Sequence, residues 1–136
     1  METTSLKERC DVIEECYEFL LAYAAQGLVS DEGSDSGLQA RRLLGRADEA
    51  LDGIADAYRA AAREAGLQPA ADYEAFLSVL ERDAANSRAA IRLVVAQPAL
   101  SSQLIDNLNA SIHVRAMLTD LFLIDEVYKT QKLLPV

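Results

Sequence analysis

The chain has 136 residues, 51% apolar and 26% charged, with three prolines, six glycines and no tryptophan. That length buries about two-thirds of the unfolded surface, enough for one domain held by its own core, and the apolar share excludes intrinsic disorder. Thirteen Lys and Arg against 22 Asp and Glu leave a net charge of -9, which argues against nucleic acid and anionic membrane as partners, since both are gripped by clustered basic side chains.

No uncharged apolar run is long enough to span a bilayer. The early residues include Lys7, Glu8, Arg9, Asp11, Glu14, Glu15 and Glu18, unlike the apolar centre of a secretory leader, so the expected location is cytoplasmic.

The first periodic segment covers about 5–26. Leu6, Cys10, Ile13, Tyr17, Leu20 and Ala24 recur at alternating steps of four and three, and Val12, Cys16, Phe19 and Tyr23 widen the apolar arc to roughly 200° of a helical wheel. Ser5 followed by Glu8 reads as a capping box, and Gly27 before Leu28 as a left-handed stop. Cys10 and Cys16 sit too far apart on one helix to bridge, about 9 Å of rise, and neither has a metal-ligating neighbour at a suitable spacing. Both read as core residues.

Residues 28–37 are rich in Ser, Asp and Gly and lack the alternating acids of a calcium loop, so they are expected to form a flexible, solvated linker. A second helix is expected over 38–65, stopped by Gly66 with Pro69 beyond. Its stripe is Leu44, Ala47, Leu51, Ile54, Tyr58, Ala62 and Ala65, and Gly45 and Gly53 weaken it. Arg41, Arg42 and Arg46 form a small basic patch that suits either an anion or plain solvent.

A third helix is expected over 72–97, capped by Asp72 and ended by Pro98. Its inner face runs Tyr73, Phe76, Leu77, Leu80, Ala84, Ser87, Ile91 and Val94, and Asn86 and Ser87 either supply a core hydrogen bond or lie at its edge. The fourth, over 102–128, starts at Ser101 or Ser102 and changes phase midway. Leu104, Ile105, Leu108 and Ile112 give one face; Val114, Met117, Leu121, Ile124 and Tyr128 give another. Leu118, Phe122, Leu123 and Val127 then make the last turns apolar almost all round. No alternating strand pattern competes. The expected fold is all-α, a single-domain antiparallel up-down-up-down four-helix bundle over 1–136.

Two acidic strings stand out. Glu14-Glu15-Cys16-Tyr17-Glu18 spells EExxE, and Glu49-Ala50-Leu51-Asp52 spells ExxD on the next helix. These strings resemble the metal-binding motifs of the all-α nucleotide pyrophosphohydrolases of the MazG type. That resemblance, confined to about 10–70, implies a magnesium-dependent hydrolase in which Glu14, Glu15, Glu18, Glu49 and Asp52 hold the metal. On the wheel, however, both sets point away from their apolar stripes, towards solvent unless a second subunit covers them.

His113 is the sole histidine. A histidine phosphotransfer domain would expose one such residue on a bundle helix, but such domains resemble one another in a Lys and a Gly just after it. Here Val114, Arg115, Ala116 and Met117 follow. No paired ExxH strings suit a di-iron bundle, no nucleophile motif appears, and nothing asks for a cofactor. The leading expectation is a non-catalytic acidic protein that associates with itself, most simply as a homodimer, or with a larger protein. Leu118, Phe122, Leu123 and Val127 are the expected interface. A competing arrangement folds 132–136 over that helix instead.

Overall fold

The computed structural model describes residues 2–133, with side chains from 6 onward. It is all-helical, with no strand among the described residues, and its helices are α1 (Glu2–Ala24), α2 (Asp35–Leu51), α3 (Ile54–Ala65), α4 (Ala70–Val95), α5 (Ser102–Ala110) and α6 (Ile112–Thr130). Six helices replace the four expected because two of the expected ones are each broken.

The first break falls at Asp52-Gly53. Gly53 adopts φ 73°, ψ 14°, the left-handed region that glycine enters without penalty. The last carbonyls of α2 are not left bare: Arg9 donates to Ala50 O at 2.9 Å and to Asp52 O at 2.6 Å, placing a cation at the negative end of the helix. The second break falls at Ser111, whose extended backbone restarts the chain and whose hydroxyl accepts from the His113 N–H at 3.2 Å. It explains the phase change in the apolar pattern, because two short helices need not share one face. Ser87, buried on α4, donates to His113 O at 2.8 Å and pins this restart to the core.

Helix starts also differ from expectation. Helix α1 begins before Ser5, and α4 begins at Ala70 behind Pro69 rather than at Asp72. Gly27 and Gly66 both take positive φ at the ends of α1 and α3.

The 28–37 segment is a structural tie rather than a purely solvated linker, and its last residues already belong to α2. Asp31 accepts from Arg41 Nε at 2.5 Å and from the Leu100 N–H at 2.7 Å, while Arg41 donates to Val95 O and Gln97 O at 3.0 Å each. Leu28 and Ser102 exchange backbone and side-chain hydrogen bonds, and Tyr23 donates to Leu100 O at 2.7 Å. The hydrogen bond from Arg41 holds the Asp31 carboxyl below its ordinary pKa.

Helix α1 packs on α2, α3 and α5; α4 packs on α2, α3 and α6. Tyr23, Tyr58 and Tyr128 are fully buried among Leu43, Leu44, Leu51, Leu77 and Leu80. Arg59 joins α3 to α4 through Glu74 at 3.0 Å and Glu81 at 2.7 Å, and Arg88 joins α4 to α2 through Asp48 at 2.8 Å. Among the described residues no helix is long and apolar enough to cross a membrane.

Candidate functional site

The acidic strings do not converge. Glu14, Glu15 and Glu18 are exposed on α1, Glu49 is exposed on α2, and Asp52 sits at the first break. Their nearest partners are basic: Glu15 lies 3.9 Å from Arg46, and Asp52 3.0 Å from Arg88. Among the described residues no three His, Cys, Asp or Glu side chains are grouped to hold a metal ion. The three arginines of α2 are likewise engaged, Arg41 with Asp31, Arg42 with Gln39 and Arg46 with Glu15. His113 is exposed in the first turn of α6.

The last helix divides its apolar residues three ways. Leu118 is 5% exposed and belongs to the core, so it is not available to a partner in this conformation. Leu123 and Val127 line a shallow groove of about 300 Å³ between α4 and α6, with Asp72, Tyr73, Phe76 and Ile124. Phe122 is as exposed as Leu123, 55% each. Successive helical residues diverge by about 100°, so Phe122 looks away from the groove that Leu123 lines. Leu133 packs on the core and its N–H donates to Tyr128 O at 2.8 Å; the rest of the 132–136 tail, from 134, lies outside the described residues.

Three polar features inside the molecule escaped the sequence reading. The first joins α1, α3 and α6. The Tyr58 hydroxyl and, at 3.5 Å, the Cys10 thiol both donate to Asp125 Oδ1, with Cys10 Sγ 3.2 Å from Tyr58 Oη. Tyr128 donates to Tyr58 O at 2.8 Å and its ring meets Tyr58 edge-on at 5.1 Å. Burial pushes all three acidic groups up: Asp125 above the ordinary carboxylate range, Tyr58 far above a phenol, and the Cys10 thiol to about 12. Burial keeps this thiol protonated, and the trio ties the three helices together.

The second feature is Asn109 on α5. It is 6% exposed, and neither end of its amide has a partner among the described residues. It borders a central void of about 30 Å³ whose other walls include Ile13, Leu44, Ile91, Val114 and Met117. That volume suits one or two waters and nothing larger without side-chain movement.

The third is a pair of carboxylates across the α4–α6 seam. Asp83 faces Asp120, whose Oδ2 is buried without a partner among the described residues. Burial first, then the hydrogen bond and charge of Asp83, push Asp120 up to about 7. A lone acid on an inner helical stripe was the available signal for both Asp120 and Asp125.

No known protein family matches the chain, and no curated protein or solved structure does either.

Proposed function

We propose that this chain is a non-catalytic association module, built on an up-down-up-down bundle in which α2–α3 and α5–α6 are broken arms. It works as a homo-oligomer or as an accessory subunit. The observation that carries this reading is the α4–α6 groove, where Tyr73, Phe76, Leu123 and Val127 bring apolar side chains together at the surface over the buried Ile124. Contiguous apolar surface of this kind marks contact with another protein more often than it marks chemistry. The exposed Phe122 extends the apolar area round the outer side of the same helix.

The test is the size of the tagged chain under native conditions, by light scattering when purified and by native gel filtration from cells. Assembly above 14.8 kDa that Leu123→Asp dissolves, with the circular dichroism melt unchanged, supports the reading. A monomer in both settings overturns it. Leu123 is half exposed, so its replacement should leave the fold intact.

A further inference from the structure

We infer that the α4–α6 face docks a cationic amphipathic helix of a partner protein, its apolar side chains in the groove and a lysine or arginine beside the Asp83–Asp120 pair. This rests on the association reading above and adds the chemistry of the partner.

The first ground is geometric. The Ser87 hydrogen bond to His113 O at one end, and the Tyr73 ring 6.3 Å from Tyr128 at the other, set α4 and α6 antiparallel. In that register the acid pair continues the line of the groove. On α6, Asp120 lies one turn from Leu123 and Ile124 and two from Val127; on α4, Asp83 lies two turns, about 10.5 Å, from Phe76. An incoming helix that seats an apolar residue at one position therefore presents its side chain about seven residues on to the two carboxylates.

The second ground is chemical. Elsewhere, buried Asp125 is met by a phenol and a thiol, and two half-buried acids are matched by arginine: Asp31 by Arg41, and Asp48 by Arg88 and Arg92. Asp83 and Asp120 have each other and no cation among the described residues. A lysine or arginine docked beside this half-buried pair would favour its ionised form and offset the like-charge repulsion.

The third ground is charge complementarity. Among the described residues the groove's one charged lining residue is Asp72, and the chain as a whole carries -9, which steers a cationic partner inward. A second copy docked face to face would instead bring like-charged pairs together.

The probe is a fluorescent amphipathic peptide of about 18 residues, with leucines on one face flanked by lysines, and its counterpart with glutamates in place of lysines. Binding is read by anisotropy against the full chain, Leu123→Asp, Asp83→Asn/Asp120→Asn, and Glu14→Gln/Glu18→Gln, which removes two carboxylates from the exposed face of α1. The expected result is binding of the lysine peptide alone. It weakens about tenfold or more in the Asp83/Asp120 and Leu123 variants, and about twofold or less in the Glu14/Glu18 variant. Equal weakening in the two charge variants means unspecific attraction and overturns the inference. No binding by the unaltered chain also overturns it, whether residues 134–136 or a second copy fills the groove. Assemblies that Leu123→Asp dissolves and Asp83→Asn/Asp120→Asn leaves intact would refute the cationic partner while sparing the association reading.

Discussion

Replacing Gly37 by alanine sets local propensity directly against packing. Gly37 lies in the first turn of α2, and alanine is favoured there by up to about 1 kcal/mol on propensity alone. A Cβ at this position, however, would fall 2.5 Å from Asp31 Cβ and 2.7 Å from Asp31 Cα, and closer still to the Asp31 carbonyl oxygen. Those are backbone-anchored atoms, so Asp31 would have to retreat by about 1 Å to reach ordinary contact distance. Its carboxylate would carry with it the hydrogen bonds to Arg41 and to the Leu100 N–H. A charge-assisted hydrogen bond contributes about 1.5–3 kcal/mol. Weakening two of them outweighs the propensity gain, and Gly37→Ala should destabilise the fold by about 2 kcal/mol. At about 2.1 cal/mol/K of unfolding entropy per residue, each kcal/mol moves Tm by about 3–4 °C for a chain this long, so the melt should fall by about 7 °C. Gly45 supplies the internal control: it is exposed in the middle of the same helix with nothing within 4 Å of a built Cβ. Gly45→Ala should raise stability by about 0.5–1 kcal/mol. A Gly37→Ala protein that melts at or above the Gly45→Ala protein refutes the tie between 31, 41 and 100.

Three further outcomes follow from the buried polar groups. Asn109→Leu removes an amide with no protein partner from an apolar wall and should stabilise the chain by about 1–2 kcal/mol in urea unfolding; a loss of stability would mean the amide is paired in solution. Asp120 takes up its proton at a higher pH folded than unfolded, so the stability it confers is fully present below about 3.8 and is lost as pH rises through about 7. After discounting for solvent screening this amounts to about 1 kcal/mol, and Asp120→Asn should flatten that part of the pH–stability curve between pH 5 and 8 relative to the unaltered chain. Cys10 and Cys16 are 6% and 3% exposed, and burial lifts both thiols to about 12, so at pH 8 a disulfide reagent should label them no faster than the chain globally unfolds; rapid labelling of the native state would place them at the surface.

The all-helical class and the approximate ends of most helices were legible from spacing alone, since an apolar stripe at helical period has only one way to be buried. The breaks were half legible. The shift from Ile112 to Val114 announced a change of face, yet only the Ser111 cap and the Ser87 bond to His113 O make it a new helix. Gly45 and Gly53 look alike in the sequence. What separates them is Arg9, forty-one residues from Ala50, whose guanidinium makes an end at Asp52 tolerable. The apolar excess on α6 was visible, but its division was not: Leu118 is taken by the core while Leu123 is left outside, and that depends on where α4 and α1 lie. For the candidate site, Leu123 and Val127 were readable, whereas Tyr73, Phe76, Asp83 and Asp120 come together only through the antiparallel register of α4 and α6.

The way polar groups are matched differs between the two halves of the molecule. Where α1, α2 and α3 meet each other and α4, each shielded charge has its counterpart: Arg9 on carbonyls, Arg41 on Asp31, Arg88 and Arg92 on Asp48, Arg59 on Glu74 and Glu81. Burial lifts Asp48, but hydrogen bonds from Arg88 and Arg92 outweigh it and hold the carboxyl below its ordinary value. Along α5 and α6 the matching thins. Asp125 is served by a phenol and a thiol rather than a cation, Asp120 Oδ2 is bare, and Asn109 has no protein partner. Unmet polar groups cost stability, so a chain that solves the problem four times with arginine and leaves it unsolved on one side carries a cost there that folding alone does not require. That side is the one that also leaves Leu123 and Phe122 in water. Exposed apolar side chains also occur elsewhere, Leu21 on α1, Leu38 on α2 and Leu93 on α4, but on α6 they share a helix with an unmatched carboxylate, where a partner supplying apolar area and a cation would satisfy both.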